Sequence, residues 1–531
     1  MAVVPEQQRG AAVAVVISDP VERARIEAAL AAADGFVAAV PEGRVQWAIS
    51  DRPLDGSRTL VLARWAAITD QRRDVLDISR DHVIHILRGE IRNWFQLGGS
   101  RQPIRAYLPA SQAALIVGAL GLAPGALAAE LIPDEELAGR VAGTPGAFAL
   151  IEPEQLRLGV LALTVDGHDP YRDSARESPL SAVRWLRAPG LGDVVKLAAA
   201  AGLEDAAPFD PAGMLVTGEL IPVRCTNYVL AQLDDYGAMF DGVREAIEAT
   251  DIAVASLESS LTALSEPTPC VETFLLQGSH RAIPAIADAG LDVLFTIGNH
   301  MLDCWEDCSG APALLDTLRR LDEAGVESAG AGETLSDARS PAILRVHTAH
   351  GFVRFAFLGY DSVAPWYTAT DHAAGVAPLD AETVREDVRA AVALADHVVV
   401  GASWGVEYTA DPTAVQREIG GIAIDSGASL VIGSHPHWVQ AVEHFDDALV
   451  AYSLGNFVFD QDWSVETTQG MAMELGFTHE RLIGYRIRPA VIRGDDGGMR
   501  WIYRPEFVDP AAEGRPILDR IWDAQDRLPA R

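Results

Sequence analysis

The chain has 531 residues, too many for one ordinary core and suited to two or more domains. Hydrophobic residues make up 49% and charged residues 22%, near the globular norm, which excludes fibrous and generally disordered classes. Lys and Arg number 42 against 75 Asp and Glu, a net charge of -33, and this disfavours sequence-blind binding to nucleic acid or an anionic bilayer, whose affinity comes from basic residues.

The first 20 residues lack the basic segment and long apolar run of a signal peptide, and no later stretch approaches a bilayer-spanning length. On those grounds the chain reads as soluble and cytoplasmic. Residues 12–17 predict a strand, followed by a helix opening near Pro20 with Ile26, Ala29, Leu30 and Ala33 on one face. Further strands are expected over 44–49 and 59–63, short elements over 78–97, and a helix over 109–120. A helix over 130–138, with Pro133 in its first turn, precedes strands over 147–151 and 160–165. No GxGxxG or GxxxxGK[ST] occurs in this part.

The run AAAAGLEDAAPFDPAG near 200–212 reads as a helix end and linker, and the main domain boundary is placed there. Beyond it, strands and helices alternate. Strands are expected over 214–217, 251–255, 291–297, 353–360, 397–402, 430–433 and 449–452. Helices are expected over 236–249, 280–289, 311–324, 379–395 and 414–426. Such alternation predicts a largely parallel or mixed sheet with helices on its faces, and 469–507 adds antiparallel edge strands or a second sheet. The four cysteines, Cys225, Cys270, Cys304 and Cys308, are too few for a disulfide scaffold. Cys304-x3-Cys308 fits a local disulfide, a metal pair or two packed thiols equally.

Polar residues gather just past the strand ends: Glu219, Glu258, Asn299 and His300, Ser403, His435 and His437, and Asn456. Ligands of open α/β sheets bind beyond the carboxyl ends of the strands, so these groups are expected in one crevice. Imidazole, amide and carboxylate donors suit a divalent Mn, Fe or Zn ion, and Pro436 stiffens the loop that presents both histidines. Trp404 and Trp438 follow the same ends and read as pocket walls or core.

Residues 213–470 resemble the CapA family of capsule and poly-gamma-glutamate biosynthesis proteins. The matching segments are GELIPVR at 218–224, SLESSLT at 256–262, GNHMLD at 298–303, SWGVEY at 403–408, GSHPHWVQAVE at 433–443 and YSLGNFVFDQ at 452–461. The resemblance implies a calcineurin-like metallophosphatase fold, here a four-layer α/β/β/α domain over 213–510. It implies one or two divalent metals on Glu219, Asn299, His435 and His437, with catalytic roles for His300 and Glu258. Ser403, Trp404, Glu407, Trp438 and Asn456 would line the substrate pocket. Three positions depart from the family: Glu219 stands for its Asp, Ser256 for its Asn and Ser403 for its His, and the last removes an imidazole ligand. DRPLDG at 51–56 and LRGEIRNWFQLGG at 87–99 resemble PstS-like phosphate-binding proteins, implying a smaller α/β solute-binding-protein-like domain over 1–205. The chain has YLPASQAA at 107–114 where that family has a Ser-Gly-Thr anion cradle.

Two functions stay open on this reading. One is metal-assisted hydrolysis of a phosphoester, linked to capsule or poly-gamma-glutamate synthesis. The other is a catalytically degenerate protein that binds a polymer or partner without turnover. The implied partners are an anionic polymer or phosphoester and components of the cell envelope, not nucleic acid. Both resemblances imply a place outside the cytoplasm, against the reading of the N-terminus.

Overall fold

The computed structural model describes residues 11–33, 35–39, 46–123, 125–305, 308, 310–494 and 502–530. The expected strand over 44–49 lies partly outside these, and its described part pairs as Trp47–Ser50. The N-terminal part holds two five-stranded sheets. Ala11–Val16, Phe36–Ala39, Trp47–Ser50, Arg58–Arg64 and Ser181–Arg187 form the first. Ala66–Asp70, Arg105–Pro109, Glu130–Ile132, Ala147–Ile151 and Val160–Ala162 form the second. The chain leaves the first at Arg64, enters the second at Ala66 and returns at Ser181.

Two expected helices begin later here. Residues 105–109 and 130–132 are paired parallel strands, and the helices are Ala113–Ala119 and Asp134–Ala142. The cause at the second is Pro133, which keeps its predecessor extended and so leaves Ile132 in the sheet, with the helix starting directly after it.

The C-terminal part is built on two larger sheets. In the first, Glu327–Ala329, Val293–Thr296, Ile252–Leu257 and Ala212–Leu220 run parallel. Gln469–Phe477, Leu482–Arg493 and Arg504–Phe507 extend it antiparallel. In the second, Gly351–Asp361, His397–Ser403, Leu430–Ser434 and Ala448–Ala451 run parallel between the edge strands Ala342–Thr348 and Val442–Phe445. Alternating side chains sort these strands' residues between cores. Met214, Val254 and Phe295 share one core with Phe355, Phe357, Val399 and Ile432 of the second sheet. Leu215, Ala253 and Leu294 pack instead with Ile283, Leu314 and Leu321 of helices Ala282–Asp288 and Ala311–Ala324. Val398, Val400 and Val431 pack with Val384, Val388 and Ile419 of helices Ala381–Ala391 and Ala414–Asp425.

The expected helix over 236–249 is broken into Gly237–Phe240 and Arg244–Glu248. Gly242 lies between them where a Cβ would stand 2.4 Å from the Pro505 carbonyl oxygen, so the chain touches the sheet edge and cannot coil on. The unexpected helix Arg224–Leu233 precedes it. Helix Arg515–Arg527, past residue 510, places Ile517, Leu518, Ile521 and Trp522 in the core between the two large sheets. No helix among the described residues is long and apolar enough to cross a membrane.

The two parts meet through a buried charge cluster. Arg486 donates to Asp169 Oδ2 at 2.9 Å, to Glu474 Oε2 at 2.6 Å and to the Ala162 carbonyl at 2.9 Å. Its guanidinium lies 5.3 Å from the Tyr171 ring centroid. The cysteines pair as Cys225–Cys270 and Cys304–Cys308, so the local-disulfide alternative holds for the second pair.

Candidate metal centre

Glu219 is the penultimate residue of the strand Ala212–Leu220 and pairs in register with Ser256 on one side and Asn456 on the other. Gly218 before it allows this crowding, since a Cβ there would stand 2.1 Å from the Gly455 carbonyl oxygen. Glu258 is one residue past the strand Ile252–Leu257. Gly298, at φ 118°, packs against it, and a Cβ there would lie 2.5 Å from Glu258 Cγ. That contact brings the Asn299–His300 turn against Glu258. Ser403 and Ser434 end adjacent parallel strands in register, and His435 follows directly.

His435 and His437 take positive φ angles of 88° and 59°, a region that costs a non-glycine residue about 1–3 kcal/mol. Hydrogen bonds hold them there. The His435 backbone N–H donates to Glu219 Oε1 at 2.8 Å, and the other oxygen, Oε2, bonds His437 Nδ1. Asn456 Oδ1 meets the same Nδ1 at 3.0 Å. Glu258 Oε1 stands 3.5 Å from His435 Nδ1, and Glu407 Oε1 stands 3.9 Å from His435 Nε2. Tyr408 stacks on His437, and its backbone N–H donates to the Pro436 carbonyl at 2.9 Å.

The carboxylates set the charge of the pocket. Burial pulls the His437 imidazolium down, but the adjacent Glu219 carboxylate outweighs it and lifts its pKa to about 9. Burial opposes the charge on His435 too, and the Glu258 carboxylate raises it above the usual imidazole value. Burial pushes Glu219 up, and the facing His437 and His435 hold it below the usual carboxylate range.

The donors fit a cation. Donor atoms of Glu407, His435 and His437 lie within 4.8 Å of one another, as do those of Glu219, Glu258 and His437. Glu258 Oε2, Asn299 Oδ1, Ser403 Oγ and Ser434 Oγ are buried with no hydrogen-bond partner. Native proteins rarely leave such atoms unsatisfied, and a bound ion or its ligands would account for them.

The other expected residues fall differently. Asn299 Nδ2 lies 2.9 Å from His300 Nε2, and His300 Nδ1 lies 2.7 Å from Asp303 Oδ2, so His300 is held at both nitrogens. Trp404, read as pocket wall or core, is buried among Val400, Val431 and Tyr452, and its indole N–H donates to the Tyr452 carbonyl at 2.9 Å. Trp438 lies under the Arg520 guanidinium, 5.7 Å away. Asn456 is fully buried and spends its amide on Gln461 and the Thr467 carbonyl, which makes it a floor beneath His437. Asp303, Tyr408 and Ser434 were not singled out by sequence, although all three lie inside the quoted motifs and Ser434 ends the strand just before His435.

One relative is the PGA biosynthesis protein CapA of Bacillus subtilis (strain 168), 31% identical over 241 residues. The match covers 45% of this chain and 61% of that one, so the chain spans about three fifths of its relative's length. Among solved structures, an ABC-type phosphate transport receptor from Vibrio cholerae is 18% identical, with 36% of this chain and 93% of that one covered and a TM-score of 0.25. The sulfate thiohydrolase SoxB of Thermus thermophilus is 14% identical, with 62% and 63% covered and a TM-score of 0.32. Both scores are too low to argue from. Residues 213–461 match the family model of the bacterial capsule synthesis protein PGA_cap.

Proposed function

We propose that the chain is a metal-dependent hydrolase of the phosphoesterase kind, working on an anionic polymer or phosphoester in capsule or poly-gamma-glutamate synthesis. The name of the Bacillus subtilis relative supports the pathway. The observation that carries the chemistry is the pair of buried, strained histidines set among Glu219, Glu258 and Glu407. One or two divalent ions of the Mn, Fe or Zn kind suit these donors. When bound, such an ion lowers the pKa of a water and polarises a phosphoryl oxygen. Glu219, Asn299, His435 and His437 are the ligands implied by the family. His300, held by Asp303 and Asn299, is the group the family implies for stabilising charge or protonating a leaving group, a role that requires it to release Asn299. Ser403 leaves room and no strong donor, which favours a centre simpler than a full two-metal site.

In the same reading, residues 1–205 form a solute-binding-like domain and 213–510 a metallophosphatase-like domain, completed by helix Arg515–Arg527. The three core clusters support a four-layer α/β/β/α order for the latter. The two disulfides favour an oxidising, extracytoplasmic setting.

The test is elemental analysis of untagged protein together with manganese-dependent hydrolysis of an aryl phosphodiester. The expected result is bound metal and turnover, both lost in His437→Ala. Protein without metal and without turnover would refute the hydrolase and leave a polymer-binding protein.

A further inference from the structure

The segments that follow the carboxyl ends of the site-bearing strands are poor in positive charge. Residues 221–224, 258–276, 297–310, 362–380, 404–413, 435–441 and 452–468 hold one Lys or Arg between them, Arg224. Arg224 is buried and spends its guanidinium on Asp460 Oδ1, at 2.6 and 3.0 Å, and on the Thr273 carbonyl. Arg520 reaches Trp438 from the C-terminal helix, but Glu466 stands 3.9 Å from it. A chain of carboxylates would find no free Lys or Arg in these segments, and affinity for a polyanion comes from such groups. The same segments expose aromatic faces instead. Trp463 is 54% exposed and sets its ring edge-on to Tyr408, with centroids 6.1 Å apart. Tyr408 in turn stacks on His437 at 6.0 Å. Trp366 is 72% exposed and lies 6.1 Å from the Tyr367 ring. The Tyr367 hydroxyl faces Asp303, which holds His300 Nδ1 at 2.7 Å. Each exposed tryptophan thus joins the site through one tyrosine, the first on the His437 side and the second on the His300 side. Val406, next to Glu407, and Val465, two residues past Trp463, are exposed as well. Apolar surface left exposed around a polar site marks a ligand contact.

Flat apolar faces without positive charge suit a neutral ring. A sugar ring presents C–H groups on its face and hydroxyls at its edge. The face packs on tryptophan, and the hydroxyls donate to carboxylates. Glu266, Glu272 and Asp371 are exposed carboxylates of the same segments. We infer that the substrate of this centre is a neutral glycan chain carrying the phosphoester, with its sugar rings stacked on Trp366 and Trp463. The inference rests on the metal-dependent reading above and narrows it, setting aside a poly-gamma-glutamate chain as the bound polymer. A glycan phosphoester concentrates its negative charge at the ester, where a metal ion meets it. A γ-linked glutamate chain carries a charge on every residue and has no ring to stack.

The experiment measures binding by calorimetry to the full chain at physiological ionic strength, separately from turnover. The probes are the tetramers of glucose and of N-acetylglucosamine, a γ-linked glutamate decamer, and ADP. Wild type, Trp366→Ala, Trp463→Ala and Trp463→Tyr are compared, with circular dichroism melts for folding and manganese content for the state of the centre. The expected result is saturable binding of at least one tetramer to wild type and none of the decamer. Each alanine variant raises the tetramer Kd by at least about 5-fold with the wild-type melt and manganese content, and Trp463→Tyr, which keeps a ring, recovers most of the loss. A decamer that binds and weakens as salt rises, with no tetramer bound, would overturn the inference and leave the hydrolase reading standing on a polyanion. ADP bound in place of the tetramers, and lost in the alanine variants, would overturn it by assigning the tryptophans to a base. Tetramer affinity unchanged within about twofold in both alanine variants, or no probe bound at all, would overturn it as well. A tetramer bound by protein that holds no metal and hydrolyses nothing would overturn the hydrolase reading and keep the ligand class.

Discussion

Replacing Arg486 by Leu tests whether the N-terminal and C-terminal parts are one cooperative body. The guanidinium is 3% exposed and joins Asp169, also 3% exposed, to Glu474. Removing it does not leave both carboxylates equally stranded. Glu474 Oε1 keeps Arg488 at 2.8 Å, and Asp169 Oδ1 keeps the Tyr171 backbone N–H at 3.1 Å. Asp169 Oδ2 keeps only Arg172, 3.9 Å away. Breaking a buried pair costs about 3–5 kcal/mol, and these surviving contacts put the expected loss near the lower end, about 3 kcal/mol at neutral pH. The loss has a pH signature. Burial pushes the Asp169 pKa up and Arg486 outweighs it, holding it below the usual value, so its contribution is present above the unfolded pKa and lost as pH falls. Without Arg486 burial prevails, Asp169 protonates as pH falls, and the gap between variant and wild type closes. Urea unfolding at pH 7.5 and pH 5 measures both effects. A loss under about 1 kcal/mol, or one equal at both pH values, would refute the account of this contact.

Two further outcomes follow from other groups. Burial, reinforced by Arg72, lowers the His444 pKa to about 4, while Tyr485 Oη sits 2.6 Å from its Nε2. A depressed base stabilises the fold fully above about pH 6.5 and loses that stability as pH falls toward 4, by about 3 kcal/mol in all; His444→Gln should flatten the stability-versus-pH slope in that window, and an unchanged slope would remove His444 from the acid response. The Cys225–Cys270 bridge spans a sequence separation of 45 residues. The double change Cys225→Ser with Cys270→Ser should cost about 4 kcal/mol by chain entropy, read as a lower urea midpoint, and an unchanged midpoint would contradict it.

Where the chain's chemistry follows chain direction, the sequence is readable. Glu219, Glu258, Asn299 and His435 lie at or just past strand ends, and strand ends are found from local alternation of apolar residues. What depends on contacts distant in sequence was not readable. Trp404 follows a strand end like the others, yet it turns into the core because its N–H finds the Tyr452 carbonyl 48 residues away. Arg486 looks like an ordinary arginine of an edge strand until Asp169, 317 residues earlier, meets it. Helix Arg224–Leu233 escaped notice because its first residue has a φ of 44° and is buried against Asp460, with none of the usual capping side chains to announce it. Conversely, the helix expected over 236–249 has good local periodicity and fails at Gly242, where a distant carbonyl intrudes.

The three departures from the family pattern acquire a common sense in this geometry. Glutamate at 219 is one methylene longer than aspartate. That reach lets one carboxylate span from the His435 backbone to the His437 ring, two groups on a loop held in an unfavourable backbone region. A shorter side chain on the same strand would leave one of these donors unpaired and buried, at a cost of about 1–3 kcal/mol. Serine at 403 stands where the resemblance implies an imidazole, and its buried side chain ends a strand in register with Ser434. Serine at 256 pairs with Glu219 in the neighbouring sheet. Glu407, four residues beyond Ser403, faces His435 Nε2 at 3.9 Å. The carboxylates that meet the two strained histidines are therefore kept where the implied imidazole is not, and the longer reach at 219 is what holds that loop.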